Sequence, residues 1–190
     1  MVSMRSTHDD KGRLAFGRAC AALALLLLAG CAREIHEYPP AWPQVLQAYD
    51  CASLLGTYEN EGEGSGLRKE TLVGILDFER LRARERPAQW VGLSMPGGGL
   101  LEVRDPVGRL RFVAEKGEFG CDEGRLHVWY SDGGAGNVGA AWGWVTVDLT
   151  KDADGWFVAR IDESAVALLG YVIPAYIGGT RWYRFRPTPP

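Results

Sequence analysis

The sequence predicts a mainly β protein, a small antiparallel β-barrel or sandwich with one or two short N-terminal helices. Beyond Pro87, apolar and polar residues alternate with the period of two that is typical of half-buried strands. Turn residues separate these runs, and the 190-residue chain contains 25 glycines and 10 prolines, which divide it into short elements. Its 46% hydrophobic and 24% charged residues are the balance of an ordinary globular domain and exclude general disorder.

Before Pro87 the spacing of the apolar residues is helical. Residues 42–49 and 67–76 each place apolar side chains on one face of a helix, and residues 54–60 between them are typical of a strand. The strands predicted after Pro87 are residues 90–94, 100–104, 109–115, 125–131, 142–149, 156–161 and 181–186.

The longest of these strands has a mixed aromatic and polar face. Successive strand residues point to opposite sides of a sheet, so Trp142, Trp144, Thr146 and Asp148 share one face. The other face of the same strand carries apolar residues. We therefore expect residues 142–149 to bury one side in the core.

The segment 152–155 (DADG) connects two of the predicted strands. Its aspartates fit part of a calcium-binding loop, but the first ligand position of that pattern holds Thr150 and the twelfth holds Ile161. Asp-Gly between two apolar strands is a strong hairpin signal. We therefore interpret the segment as a hairpin turn.

The first thirty residues have the pattern of an export signal. Arg5, Lys11, Arg13 and Arg18 precede an apolar run from residue 19 to residue 29, which has the length of a signal-peptide apolar region. A permanent membrane helix needs about 20 apolar residues, so this run is too short to serve as one.

The run ends in Leu28-Ala29-Gly30-Cys31, which resembles the lipobox of bacterial lipoproteins. The resemblance implies a diacylglyceryl group on the Cys31 thiol, cleavage of the chain before Cys31, and acylation of the new amino group. We expect no cofactor other than these covalent acyl groups. Ala32 follows, where many lipoproteins retained in the inner membrane have aspartate. We therefore expect the periplasmic face of the outer membrane in preference to the inner membrane.

Cleavage there divides the chain into a signal peptide (1–30), a lipidated tether (31–43) and a single mainly β domain (44–190). The prolines of the tether predict an extended spacer that leads away from the membrane. The mature chain has 17 basic and 22 acidic residues, a net charge of −5. Acyl chains rather than charge therefore hold it at the bilayer, and no nucleic-acid partner is expected.

Two cysteines remain in the mature chain after lipidation of Cys31. Cys51 and Cys121 are an even pair in an oxidising compartment, and we predict a disulfide between them that closes a loop of about 70 residues. The alternative is a reactive thiol at Cys121 with His127 as its base. Such a nucleophile also needs a third group that orients the base, and the sequence offers none.

Other candidate sites for catalysis or metal binding are weak. His36 and His127 are the only histidines of the mature chain, so a histidine-rich metal centre is excluded and no metal site is predicted. Asp162 and Glu163 are neighbours in a predicted strand region and point to opposite faces, which argues against a catalytic carboxylate pair.

The segment 165–177 contains no charged residue. It forms either a buried strand and turn, or an exposed apolar surface that contacts lipid, a ligand or a partner protein. In the second case Tyr171, Ile173 and Tyr176 are the candidate contact residues.

Several short motifs lie along the mature chain: Cys51, residues 55–60 (LGTYEN), residues 119–121 (FGC) and residues 124–126 (GRL). Together they resemble small uncharacterised envelope lipoproteins of proteobacteria. That resemblance implies no established activity and no catalytic residue. Residues 56–58 (GTY) are also similar to the Gly-x-Trp opening of lipocalins.

These observations predict a lipid-anchored, periplasm-facing envelope lipoprotein that acts in binding or assembly rather than catalysis. Its expected partners are the bilayer, through acylated Cys31, and either another envelope protein or a small apolar ligand. One alternative is a lipocalin-like carrier of a small apolar ligand, which predicts an aromatic-lined cavity. A second alternative is a hydrolase of an envelope polymer, which predicts a cleft where a carboxylate or His127 has a perturbed pKa.

Overall fold

The computed structural model describes residues 31–46, 50–65, 70–76, 88–106, 108–136, 139–169 and 173–188. Across these residues the protein is mainly β, as predicted. The strands are β1 (Cys31–Ile35), β2 (Val45–Leu46), β3 (Gly56–Glu59), β4 (Glu63–Gly64), β5 (Trp90–Gly97), β6 (Leu100–Arg104), β7 (Arg109–Val113), β8 (Phe119–Asp122), β9 (Arg125–Gly136), β10 (Gly139–Asp152), β11 (Phe157–Leu169) and β12 (Ile173–Phe185). The helices in this part of the chain are α1 (Leu72–Leu76) and the 3₁₀ helices Cys51–Leu54 and Ala114–Lys116.

The larger of two sheets follows the strand order β1-β12-β11-β10-β9-β8. Strands β9 to β12 are long and pair antiparallel with their neighbours in sequence, because hairpin connections bring successive strands side by side. β1 is different, since it pairs with β12 in parallel. The short strands β2 and β4 pair with β10 and β12.

The smaller sheet is antiparallel and has the order β3-β5-β6-β7. Gly98 and Gly99 connect β5 to β6 with φ angles of +63° and +66°. A two-residue hairpin turn with positive φ at both positions favours glycine, which has no Cβ to clash in that conformation. The predicted strands 90–94 and 100–104 are confirmed.

One hydrophobic core takes residues from both sheets and from α1. Tyr58, Phe157 and Phe185 are its largest fully buried side chains, and the rings of Tyr58 and Phe157 stack with centroids 4.5 Å apart. All five residues of α1 are buried, as expected for a helix that is apolar on every side. The described strands of neither sheet close into a ring, so the barrel alternative is not confirmed, and the arrangement fits the β-sandwich-like alternative.

The helices lie later in the chain than the apolar spacing predicts. Within residues 42–49, the described part contains β2, which pairs with the end of β10 instead of forming a helix. Pairing with a neighbouring strand outweighs a short run of helical spacing. The first helical turn begins after Asp50, whose Oδ1 accepts a hydrogen bond from Ser53 N at 3.0 Å. Of the helix predicted over 67–76, the described residues include α1, and residues 66–69 lie outside the described part.

Residues 31–35 also differ from expectation. They are extended, but they pair with residues 176–180 of β12 instead of forming a free spacer, and His36 N continues the ladder by donating to Thr180 O at 2.9 Å. The prolines begin only at Pro39, so every amide needed for this pairing is present. Among the described residues, Cys31 is therefore already part of the folded sheet.

The predicted disulfide is confirmed. Cys51 in the first 3₁₀ helix and Cys121 in β8 are bonded, with their Cα atoms 6.1 Å apart and a sequence separation of 70. The bond ties the start of the domain to the outermost strand on the β8 side of the larger sheet. Because Cys121 is consumed in this bond, it is not available as the nucleophile of the alternative interpretation.

The hairpin interpretation of residues 152–155 is confirmed as well. Asp152 is fully buried at the end of β10, and its Oδ1 accepts hydrogen bonds from Asp154 N at 3.0 Å and Trp156 N at 2.9 Å. Aspartate commonly stabilises turns by accepting from backbone amides two or more residues ahead. The carboxylate that suggested calcium thus organises the turn from β10 to β11.

Candidate functional site

The candidate site is the face of β9–β12 that is turned away from the core, which we call the outer face. Directly paired residues of neighbouring strands lie on the same face, so the register places Trp142, Val166 and Tyr176 in one row across β10, β11 and β12. Further along the strands, Asp148 lies between His127 of β9 and Arg160 of β11. The predicted grouping of Trp142, Trp144, Thr146 and Asp148 on one face is confirmed by this register.

A polar network crosses the middle of the outer face. Nδ1 of His127 lies 2.7 Å from Oδ1 of Asp148, whose other oxygen is 3.9 Å from the Arg160 guanidinium. Arg160 in turn contacts Asp162 at 2.9 Å, and the Thr180 hydroxyl donates to Asp162 at 2.6 Å. The chain of contacts joins β9, β10, β11 and β12, so its first effect is to align four strands.

His127 and Asp148 are each only about a fifth exposed. The imidazole stacks on the indole of Trp129 with ring centroids 5.9 Å apart, so His127 is packed against an aromatic side chain and mostly shielded from solvent. A histidine and carboxylate pair activates a hydroxyl or thiol only when one lies within hydrogen-bond reach of the imidazole. Among the described residues, the hydrogen bond of His127 goes to Asp148.

The opposite end of the outer face is covered by residues 36–46. The ring of Tyr38 meets Trp42 and Trp182 edge to face at 5.7 Å and 5.1 Å, and burial raises the pKa of the Tyr38 hydroxyl. Arg184 lies over the rings of Trp42 and Trp156 at 5.1 Å and 4.3 Å. These aromatic side chains are used for packing, and the outer face is closed on this side.

Large apolar side chains remain exposed at the other end of the outer face. They are Trp129 (40% exposed), Trp142 (51%), Trp144 (58%), Val166 (38%) and Tyr176 (38%). The register makes them neighbours on β9 to β12 rather than isolated residues. A contiguous group of this kind is typical of a contact surface.

The predicted site residues fall in different places. Cys31 is the first residue of β1 and pairs in register with Tyr176, so the candidate acylation site adjoins one of the candidate contact residues. The Tyr176 hydroxyl donates to Ser164 at 3.0 Å. Ile173 is the first residue of β12, and Tyr171 lies outside the described residues.

Asp162 and Glu163 point to opposite faces of β11, as the strand period predicts. Asp162 binds Thr180 and Arg160 on the outer face, whereas Glu163 is ion-paired with Arg181 on the other side. Both carboxylates are therefore engaged with different cationic partners. Their positions on opposite faces of β11 agree with the strand alternation of the sequence.

No family model, curated protein or solved structure matches this chain. No helix in the ranges that the structure describes is long and apolar enough to cross a membrane. Within the same ranges, no three His, Cys, Asp or Glu side chains are grouped so that they could hold a metal ion.

Two features of the site could not be located from the sequence. The first is the network from His127 to Thr180, because its members come from four strands whose register is set only by folding. The second is the position of Trp142 and Trp144 on the same face as Val166 and Tyr176, which belong to the neighbouring strands β11 and β12. The alternation of Trp142 and Trp144 with small residues was the available signal, and it indicated a face without indicating what lies beside it.

Proposed function

We propose that the protein is a bacterial envelope lipoprotein, anchored through acyl groups on Cys31, whose β domain acts in binding or assembly at the membrane surface. The observation that carries this proposal is the sequence Leu28-Ala29-Gly30-Cys31 at the end of an apolar run of signal-peptide length. The thiol is the chemically essential part, since only it can form the thioether to diacylglycerol.

The disulfide supports a location in the periplasm. Disulfides persist in the periplasm and are rare in the cytosol, and Cys51 is bonded to Cys121 in the folded domain. In the mature chain this bond leaves Cys31 as the remaining cysteine, because Cys20 belongs to the signal peptide. Cysteine usage and lipidation are therefore consistent with each other.

The anchor is stable because several acyl chains act together. One acyl chain gives only marginal membrane binding, and a second makes the attachment lasting, at about 0.8 kcal/mol for each buried methylene. Ala32 in the second position favours the outer membrane over the inner membrane. The domain then faces the periplasm.

A role in binding is supported by the outer face. Its exposed part is aromatic and apolar, with Trp142 and Trp144 more than half exposed, and its His127–Asp148 pair is joined to a structural network rather than to a nucleophile among the described residues. A surface of this composition gains free energy by excluding water from a partner. The expected contact is therefore with another envelope component.

Metabolic labelling with an alkyne fatty acid tests the anchor. In a Gram-negative host we expect the wild-type protein and the control variant Cys20→Ser to carry the label and to fractionate with the outer membrane. Cys31→Ser should carry none, because it lacks the thiol. Incorporation of the fatty-acid label is the decisive measurement. Membrane fractionation alone is not, because an uncleaved signal peptide can also hold Cys31→Ser at a membrane. A labelled Cys31→Ser chain, or an unlabelled wild-type chain, would refute the proposal.

A further inference from the structure

Two uncharged stretches of the chain meet at one end of the large sheet. Residues 133–147 and 164–180 contain no Asp, Glu, Lys or Arg. The register pairs Trp142 with Val166 and Val166 with Tyr176, so the two stretches form adjacent strands. We call this part of β10, β11 and β12, from Trp144 outward to the β10 end at Gly139, the uncharged end.

The uncharged end extends beyond the hydrophobic core. Along β10, core packing reaches Val145, and the six residues from there to Gly139 correspond to about 20 Å of strand. Trp142 and Tyr176 are exposed on the outer face, and Ile177 is 53% exposed on the opposite face. The small side chains of Ala140 and Ala167 at this end are buried, but the larger apolar side chains are open to the surroundings on both sides of the sheet. Exposed apolar surface is unfavourable in water, so this arrangement favours contact with another surface.

The candidate acylation site lies at the same end. β1 begins at Cys31, which is paired with Tyr176, and adjacent strands are about 4.8 Å apart. No flexible spacer separates the acylated residue from the sheet. If Cys31 is acylated, a step that rests on the proposed function, its neighbours in β12 are held at the membrane surface.

Backbone hydrogen bonding limits how deeply the uncharged end can enter the bilayer. Open sheet edges are not stable in hydrocarbon, because their N–H and C=O groups lack partners there. β1 is an end strand of the sheet, so one of its edges is open. Charged residues also flank the uncharged end, because Arg33 of β1 is paired with Gly178 and Asp132 of β9 is paired with Gly143. A spanning strand also needs about 9–11 residues. The expected position is the headgroup region, where tryptophan and tyrosine are enriched.

We propose that the uncharged end of the large sheet is a second membrane contact, which lies in the headgroup region of the same bilayer that holds the Cys31 acyl chains. Trp142, Trp144 and Tyr176 lie at the boundary with their polar N–H and O–H groups toward water and headgroups. The anchor and the sheet then fix the orientation of the domain, with residues 36–46 directed away from the membrane. The contact surface is lipid rather than a protein partner.

Quenching by brominated phospholipid tests this position in the complete, acylated protein. Vesicles of phosphatidylethanolamine and phosphatidylglycerol carry bromine on acyl carbons near the glycerol. We expect the emission contributed by Trp142 and Trp144, obtained as the difference from Trp142→Phe/Trp144→Phe, to fall about twofold in these vesicles. The control is Trp90→Phe, which replaces an exposed tryptophan of the smaller sheet. The emission contributed by Trp90 should be the same in brominated and unbrominated vesicles. Unquenched Trp142 and Trp144 on a protein whose mass shows acylated Cys31 would overturn the proposal.

A second experiment separates this proposal from the anchor. Residues 32–190, exported behind a signal peptide that is cleaved without lipidation, are titrated with the same vesicles lacking bromine. Trp142→Ser/Trp144→Ser should weaken binding about tenfold or more, and Ile177→Asp should weaken it from the opposite face. The control Leu46→Ser/Trp90→Ser removes two exposed apolar side chains elsewhere and should bind like the parent.

The outcomes of the two experiments are distinguishable. An unlipidated Cys31 with tryptophan-dependent vesicle binding refutes the anchor and supports the second membrane contact. If the parent, Trp142→Ser/Trp144→Ser and Ile177→Asp all bind vesicles equally, and circular dichroism shows that all three are folded, the second membrane contact is overturned. Capture of a soluble periplasmic protein through Trp142 and Trp144, without vesicle binding, overturns it in favour of a protein interface.

Discussion

Gly179 of β12 lies so close to Glu34 of β1 that a Cβ atom at position 179 would be 2.6 Å from the Glu34 carbonyl oxygen. Real Cβ atoms essentially never approach a backbone oxygen to this distance. Glycine at this position therefore permits the parallel pairing of β1 with β12. The placement of Cys31 beside Tyr176 depends on that pairing.

Gly179→Ala should loosen β1. The added methyl group forces the Glu34 backbone to move, so we expect the amide of His36, which donates to Thr180 O, to exchange its hydrogen faster by about tenfold or more. Hydrogen exchange read by mass spectrometry over residues 32–36 measures this. Gly92→Ala is the control, because its Cβ would meet nothing nearer than 3.7 Å. Unchanged protection in Gly179→Ala would mean that β1 is not docked as described.

Removal of the disulfide should destabilise the domain strongly. The bond between Cys51 and Cys121 closes a loop of 70 residues, for which the chain-entropy relation gives roughly 4 kcal/mol of stabilisation. We expect Cys51→Ala/Cys121→Ala to lose up to that amount in the free energy of unfolding, measured by guanidinium denaturation. A loss below about 1 kcal/mol would show that the loop is already restricted in the unfolded state.

Asp152→Ala should be much more harmful than Asp154→Ala. The buried Asp152 carboxylate accepts two backbone hydrogen bonds, and its loss leaves the amides of Asp154 and Trp156 without that acceptor. Two hydrogen bonds to a charged group correspond to roughly 3 kcal/mol in the free energy of unfolding. Asp154 is exposed in the same turn, and its replacement should cost less than about 0.5 kcal/mol. Equal effects would contradict the assigned role of Asp152.

The raised pKa of the Tyr58 hydroxyl predicts that the domain loses stability at alkaline pH. Burial raises the pKa of its hydroxyl, which donates to the Leu54 carbonyl at 2.6 Å, above the ordinary value of 10.0. The unfolded chain therefore releases this proton first. The contribution of Tyr58 is complete below pH 10 and decreases as the pH rises from there toward the higher folded-state pKa, by about 1.4 kcal/mol for each pH unit.

The variant Tyr58→Phe tests this dependence. At pH 7 it should be less stable by about 1 kcal/mol, because the Leu54 carbonyl loses a hydrogen bond. It lacks the ionising group, so the two stabilities should become equal near pH 11. Denaturation midpoints between pH 7 and pH 11 measure the difference, and all other tyrosines are common to both chains. A constant difference across this range would contradict the assigned pKa direction.

Several features were predictable from the sequence because they depend on neighbours in the chain. The period of two placed Trp142 and Trp144 on one face, since alternation is a property of the extended backbone. The hairpin at residues 152–155 follows from local turn chemistry. The pairing of Cys51 with Cys121 was predictable from the even number of cysteines that remain after Cys31, given the predicted export to an oxidising compartment.

The rest was decided by contacts between residues that are distant in sequence. Residues 45–46 form a strand because the end of β10 offers hydrogen bonds that a short helix cannot match. A β-sandwich-like arrangement of two sheets around one core fits the fold, because the edge strands of the described sheets are not hydrogen-bonded to each other. The contact of His127 with Asp148 exists only once β9 and β10 are in register.

The amino-acid order alone therefore predicted the export signal, the candidate acylation site and the strand periodicity from short windows of sequence, and the cysteine pair from the number of cysteines. Only the folded chain brought Cys31 beside Tyr176 and joined the uncharged residues 133–147 and 164–180 at one end of a sheet. Strand register is a long-range choice that depends on which faces can be buried together. The alternation of apolar and polar residues within one strand does not determine which residues of another strand pair with it.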